Sequence, residues 1–516
     1  MTKRLLRSTA VVSQMTLISR VMGFVRDVII AKIFGASAAA DVFFVAFKIP
    51  NLFRRLFAEG AFAQAFVPVL AEYREKHGED AVGALIGAAG GTLGLVLMVV
   101  TALGVLAAPA LIMVFAPGFI DEPDKAGLAA DLLRLTFPYL GFISLTALAG
   151  SVLNTYGRFA VPAFTPVLLN VALISAALWL APQLERPVMA LAMGVLAGGV
   201  AQLLLQWAAL VGLKLPIRTK VSFNHPGVRQ ILRLMGPAMF GVSVAQINLM
   251  LDTIIASFLE TGSISWLYYS DRLIEFPLGV FGIALATVVL PTLSSQFSKN
   301  DGDEFARTLN WALRWVFLIG LPAAVALALL AGPMLASLFG YGAMGERDVA
   351  MASRSLVAYS GGLLAFILIK VLAPGYFARQ DTRTPVRIGI IAMVANMVLN
   401  ILLVFPLAHA GLALATTLSA CLNAGLLWRG LYQDGVYRAQ TGWPVFLLRV
   451  ALALMVMSGL LIWLVPADVG LWLTWSMPER AIHLGGAVLG GAAVYFLTLA
   501  VCGLRPRHMA MLPRSV

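Results

Sequence analysis

Residues 19–27 read SRVMGFVRD, between TAVVSQMTLI (9–18) and VIIAKIFGA (28–36). The flanks are those of a membrane-spanning helix, yet the centre carries Arg20, Arg26 and Asp27. A charge facing lipid at the bilayer centre costs about 2.5–3.5 kcal/mol on insertion scales. Three such residues in one span therefore predict an interior that is polar and shielded from lipid.

The rest of the chain has the composition of a membrane protein. Of 516 residues, 60% are hydrophobic and 12% charged, a balance that excludes an ordinary soluble domain. Segments of about 20 apolar residues, enough to cross a hydrocarbon core of about 30 Å, begin near residues 10, 38, 82, 128, 160, 187, 227, 264, 304, 349, 385, 410, 443 and 480. An all-α integral membrane protein of about fourteen spans follows. The N-terminal MTKRLLR lacks a convincing small-residue cleavage site downstream and reads as retained. Cys421 and Cys502 fall within predicted spans as small packing residues, and neither a disulfide framework nor a metal spacing is present.

The formal charge of +12 raises the question of nucleic acid, which its placement answers. Arg74, Lys76, Arg158, Lys214, Arg218, Lys220, Arg229, Lys299, Arg379, Arg383, Arg429 and Arg438 fall on one side of the fourteen-span arrangement. The opposite connections hold little beyond Lys125, Arg186 and Arg347. This is the positive-inside pattern, with both termini cytoplasmic; it sets topology and gives no reason to expect nucleic acid.

The longest polar connection, GLKLPIRTKVSFNHPGVR (212–229), separates six spans from the remainder, and the two parts resemble each other. Asp27 opens D-V-I-I-A and Asp252 opens D-T-I-I-A. Each is followed by a proline-interrupted aromatic helix (Pro50, Pro277) and an apolar element with its own proline (Pro68, Pro291). Even span counts per half make this a parallel repeat, as in two-lobed transporters with a central site. The expected division is 1–215 and 216–440 as pseudo-symmetric six-helix lobes around a central cavity, with 441–516 holding two extra C-terminal helices.

At about 100° per residue, Thr16, Ser19, Arg20, Gly23, Arg26 and Asp27 share one arc of the first span, and Arg20 nearly overlays Asp27. Asp41, Lys48, Asn51, Arg55 and Glu59 cluster on one face of the second, with Arg54 at its margin; Arg55 and Glu59 have a self-pairing spacing. Tyr268, Asp271, Arg272 and Glu275 share a face of the eighth. Charges on three spans predict a hydrated cavity in which arginine and lysine outnumber carboxylates, hence an anionic cargo. The guanidinium fork suits phosphate oxygens. Structural ion pairs are the alternative, above all for Arg55–Glu59 and Asp271.

Asp252 on the seventh span, Asn396 and Asn400 on the eleventh, and Thr416 on the twelfth form an oxygen-rich set suited to Na⁺ or H⁺; polar glue between helices is the competing reading. No Walker motif is present, Asp301-Gly-Asp303 reads as a solvated loop, and the five histidines have no metal or triad spacing. No cofactor is expected beyond such an ion.

The strings MTLISRVMGFVRD (15–27), AADVFFVAFKIPNLFRRLFAEGAFAQAFVPVLAEY (39–73), SWLYYSDRLIEFPLGVFGIAL (265–285) and VLAPGYFARQDTRTPVR (371–387) resemble the bacterial lipid II flippase family MurJ (MviN). That family lies within the multidrug/oligosaccharidyl-lipid/polysaccharide exporter superfamily. The resemblance implies a non-enzymatic, multi-pass transporter of the bacterial inner membrane, used in peptidoglycan synthesis, that flips lipid II to the periplasmic leaflet by alternating access. It further implies functional roles for Arg20, Arg26, Arg54, Arg272 and Asp41, a groove for the lipid tail on the two extra helices, and a sodium site compatible with Asp252, Asn396, Asn400 and Thr416. Asp27, Lys48, Asn51, Arg55 and Glu275 join the substrate-facing set from their stripes. Membrane lipids surround the chain, and cell-wall synthesis proteins are candidate partners. The alternatives are a flippase for another undecaprenyl-pyrophosphate oligosaccharide, a cation-coupled drug exporter, which needs an acidic cavity, and a polytopic lipid-processing enzyme.

Overall fold

The computed structural model describes residues 3–56 and 61–505. The described residues form helices and connections only, with no strand. They make two compact units, one ending at Ile264 and the other beginning at Ser265. Ten helical stretches among them are long and apolar enough to cross a membrane.

The first unit runs α1 (Lys3–Phe34), α2 (Ala38–Arg54), α3 (Ala61–Lys76), α4 (Gly78–Leu106), α5 (Ala108–Phe115), α6 (Pro123–Thr136), α7 (Tyr139–Thr155), α8 (Ala160–Ser175), α9 (Met189–Val211) and α10 (Pro226–Ala256). Neither α1 nor α2 is among the ten apolar stretches; these are the helices that carry the charged stripes. Helix α10 packs on α3, because the connection before it is fastened down. Residues 215–220 run without helix along α4 after a turn at Lys214 (φ 54°), with Leu213, Leu215 and Ile217 against a core of Phe66, Leu70, Leu85, Ile86 and Val152. Lys214, Arg218 and Lys220 are exposed.

The fastening is steric. Gly83, Gly87 and Gly91 recur every four residues, about 6 Å along a helix. The carbonyl oxygens of Pro216, Arg218 and Lys220 recur every two, about 6.6 Å along an extended chain. A methyl group on Gly83 would lie 2.5 Å from the Pro216 oxygen and one on Gly91 2.6 Å from that of Lys220. At Gly87 it would meet the Arg218 oxygen inside contact distance. The Lys220 N–H donates to the Gly87 carbonyl (3.2 Å) and the Ser222 N–H to Thr92 Oγ1 (3.0 Å). Beside this strap, Tyr156 donates to Glu79 Oε2 at 2.8 Å. Burial first, and that carboxylate second, push the phenol up to about 12.

The second unit continues through α11 (Ser263–Pro277), whose first two residues close the first unit, α12 (Ile283–Ser298), α13 (Gly302–Leu329), α14 (Ala331–Leu338), α15 (Glu346–Ser360), α16 (Leu363–Phe377), α17 (Arg383–Gln433), α18 (Trp443–Leu464), α19 (Val469–Thr474) and α20 (Met477–Val501). A π-helical turn at Leu278–Gly282 follows Pro277. Helix α17 is two arms. Uninterrupted, it would hold Asn396 and Ser419 roughly 34 Å apart, yet Asn396 Nδ2 donates to Ser419 Oγ at 3.4 Å. The chain reverses at Ala408, where φ is 48° and ψ −129°. The expected starts near 385 and 410 thus mark the two arms of a hairpin.

Helix α18 buries Phe446, Val450, Ala453, Met457 and Leu461, a heptad-like stripe, in a core shared with α13 and α20. Its opposite face, with Leu448, Met455 and Ile462, is exposed, as a lipid-facing helix requires. Polar ties reinforce the join: Tyr495 Oη donates to the Leu318 carbonyl (2.9 Å), and Asn310 Oδ1 accepts from Trp443 Nε1 (2.9 Å).

Candidate functional site

On α1 the three charges fare differently. Arg26 and Asp27 are 8% and 1% exposed. Arg26 donates from Nε (2.9 Å) and Nη2 (2.7 Å) to Asp27 Oδ1, and from Nη1 (3.0 Å) to Asn170 Oδ1 on α8. Asn170 in turn donates from Nδ2 to the Ser19 carbonyl (3.2 Å). A methyl group on Gly23 would make ordinary contact with that amide, at 3.6 Å. Arg20 is exposed. It shares the arc with Asp27, as its spacing predicts, but Asp27 pairs with its chain neighbour Arg26.

The charged face of α2 is read out by α10 and the turn that follows it. Asp41, Lys48 and Arg55 are seven residues apart, two helical turns. Asp41 is 2% exposed and its Oδ2 accepts the Gly262 N–H at 2.6 Å. Lys48 Nζ donates to Thr253 Oγ1 (2.6 Å), and Arg55 Nη1 to Gln246 Oε1 (3.3 Å). Partner numbers fall as α2 numbers rise, so the two helices run antiparallel along a polar seam. Asn51 and Arg54 sit beside it, with Arg54 Nε donating to Asn51 Oδ1 at 3.0 Å and Asn51 Nδ2 to the Phe47 carbonyl at 2.9 Å. Glu59, the expected partner of Arg55, lies outside the described residues.

In the second unit Arg272 donates from Nη1 to Glu275 Oε2 (2.8 Å) and from Nη2 to Tyr268 Oη (3.0 Å), with its guanidinium 4.9 Å from the Tyr268 ring centre. Tyr268, Arg272 and Glu275 thus share the helical face their spacing predicts. The amide set also comes together. Asn400 Nδ2 donates to Asn396 Oδ1 (3.0 Å), and Asn396 Nδ2 reaches Thr416 Oγ1 at 3.5 Å. Its amide and hydroxyl oxygens are hard donors of the kind an alkali cation takes, and those of Asn396 and Thr416 accept from neighbouring amide nitrogens. Asp252 stands on α10, in the first unit. Among the described residues no three His, Cys, Asp or Glu side chains are placed to hold a metal ion.

Three of these hydrogen-bond partners have no sequence signal beyond a polar residue in an apolar span: Asn170, Thr253 and Gln246. A fourth residue, Arg480, is 5% exposed. It donates to four backbone carbonyls: Ala336 and Gly340 (both 2.7 Å), Leu473 (2.8 Å) and Trp475 (2.9 Å).

Comparison with known proteins places these arrangements in context. The family profile described as Lipid II flippase MurJ matches residues 30–482. A Vibrio cholerae protein named probable lipid II flippase MurJ is 52% identical over 514 residues, covering 98% of each chain. One named lipid II flippase MurJ from Burkholderia cenocepacia is 43% identical, covering 97% of this chain and 98% of its own. A solved structure, "Lipid II flippase MurJ, inward closed conformation", superimposes with a TM-score of 0.79 at 28% identity, over 95% of this chain and 98% of that one. A multidrug resistance MATE family transporter in an inward-facing conformation shares the fold alone, with a TM-score of 0.69 at 14% identity over 83% of this chain and 98% of its own.

Proposed function

The chain belongs to the lipid II flippase MurJ family, and from that premise we propose that it carries lipid II across the bacterial inner membrane, with its pyrophosphate held by arginines. It is an integral membrane transporter and not an enzyme: the cargo leaves chemically unchanged. The supporting observation is the bonding of Arg26. One guanidinium spends three donors on a carboxylate and an amide oxygen, acceptors that phosphate oxygens can replace in kind. Arg20 and Arg272 complete the phosphate set, and Asp41 and Arg54 shape the portal. The repeat-related halves, 1–215 and 216–440, are the bodies that rock, and 441–516 supports the lipid tail.

Exchange of a carboxylate for a diphosphate at Arg26 releases Asp27, and that change in pairing is the coupling between cargo and conformation. Net flux takes its bias from the membrane potential, about 2.3 kcal/mol per charge per 100 mV, or from a cation at Asp252, Asn396, Asn400 and Thr416. Transport that is indifferent to Na⁺, to pH gradient and to potential would remove this part of the proposal.

The test is sidedness of lipid II in liposomes containing purified protein. Arg20 is exposed, so Arg20→Ala is expected to insert and melt normally yet flip at background rate. Full flipping by both Arg20→Ala and Arg272→Ala would overturn the assignment. A cargo recovered in altered chemical form would instead mark an enzyme.

A further inference from the structure

The turn at residues 257–262 joins α10 to α11, and three elements of the first unit grip it within six residues. The Gly118 N–H donates to Ser257 Oγ at 3.0 Å, and the backbones lie so close that a methyl group on Gly118 would collide with the Ser257 carbonyl. Asp41 Oδ2 accepts from the Gly262 N–H at the other end. Between them Lys125, 7% exposed, donates from Nζ to Thr261 Oγ1 at 3.2 Å. The same amine reaches Glu122 Oε1 at 3.3 Å and lies 4.7 Å from the Phe119 ring centre.

The partners of Lys125 divide in a telling way. Glu122 and Phe119 precede it in its own segment of chain and stay with it wherever the turn goes. Thr261 alone belongs to the turn. Departure of the turn therefore breaks one charge-assisted hydrogen bond and leaves the amine with a carboxylate and an aromatic face. A bond of that kind shifts an equilibrium roughly tenfold to a hundredfold, strong enough to bias a conformation and weak enough to reverse.

We propose that Lys125 is a positioning residue of the transport cycle. It latches the 257–262 turn to the first unit, on the face opposite the basic connections, and the release of that turn is a step in opening this face. The proposal rests on the flippase reading for its purpose, though the latch itself is measured independently of transport.

Ser263, the first residue of α11, is fully buried and its hydroxyl has no hydrogen-bond partner among the described residues. A Ser263→Cys reporter in the full chain, with Cys421→Ala and Cys502→Ala, reads the latch by its rate of labelling with a membrane-impermeant maleimide. Lys125→Met is expected to raise that rate about tenfold, and Thr261→Val, at an exposed residue, to match it with an unchanged melting temperature. The double variant should label no faster than either single one, and Lys125→Arg should stay near the parent. Unchanged labelling in Thr261→Val, or additive effects in the double variant, would overturn the latch. If labelling responds but the parent protein moves no lipid II, the latch stands and the flippase reading falls; the reverse result spares the reading and removes the latch.

Discussion

Arg26 and Arg480 are both more than nine-tenths buried, one in each unit, and each must replace the water it lost. Arg26 does so with side chains, Asp27 and Asn170. Arg480 uses backbone: the Ala336 and Gly340 carbonyls at the end of α14, and the Leu473 and Trp475 carbonyls at the end of α19. Helix C-termini carry partial negative charge, so two of them do for Arg480 what one carboxylate does for Arg26. The Tyr341 ring, 4.6 Å from the guanidinium, closes the site. Side-chain acceptors can rotate away when another anion arrives; backbone carbonyls at and just past helix ends cannot. The first arginine has partners that can turn away, as the proposed exchange requires, and the second has partners that cannot.

That contrast is easiest to break at Arg480. Arg480→Gln leaves several buried carbonyls without donors, and the expected loss is about 3–5 kcal/mol, read as a large fall in melting temperature with flipping lost only in proportion to folded protein. Next in size, Arg26→Leu with Asp27→Leu removes a buried pair as a unit. Such replacements are near neutral or stabilising, so melting should hold while flipping falls about 100-fold, equivalent to about 2.7 kcal/mol. A double variant that both melts normally and transports would show the Arg26–Asp27 pair to be dispensable for fold and flipping alike, and would remove the contrast.

Away from both arginines, Gly87→Ala sets a methyl group against the Arg218 carbonyl, with an expected cost of about 1–3 kcal/mol; Gly94→Ala, with open space around it, is the matched control and should melt as the parent does. The smallest effect concerns pH. Thr384, through its side chain and its N–H, and the Arg383 N–H hold the Asp381 carboxyl below its ordinary value. Its folded-state value is depressed, so its contribution is complete above the unfolded value near 3.9 and fades as pH falls through the folded one. Asp381→Asn should flatten the melting profile only below about pH 4. A difference between the two proteins at neutral pH larger than a lost cap explains would contradict this.

Much of the molecule was legible because its signals are local. Long apolar segments mark helices, and Arg26, Asp27, Asp41 and Lys48 stand out against them by the cost of leaving charge in lipid. The seven-residue spacing on α2 placed three residues on one face, and that face meets α10 and the turn after it. What escaped is what depends on groups every residue carries. Nothing in the side chains near Arg480 announces four converging carbonyls. Lys125 reads as a loop charge until Thr261 is brought beside it. Asn170 is a lone amide in an apolar span, and its partner is 144 positions away. The spacing of Arg20 and Asp27 was right about the arc and silent about which neighbour wins the carboxylate.

The strap along α4 has one more consequence. Its carbonyls are indexed against glycines like teeth on a rack, about one helical turn to every two residues of extended chain. The tether between α9 and α10 therefore has no slack to give and no half-step to take. A single-residue insertion within 216–220 would turn the basic side chains inward and the leucine face outward, whereas an insertion of two would slide the strap by one notch and leave its pattern intact. In this chain the distance between the sixth and seventh spans is metered, not merely covered.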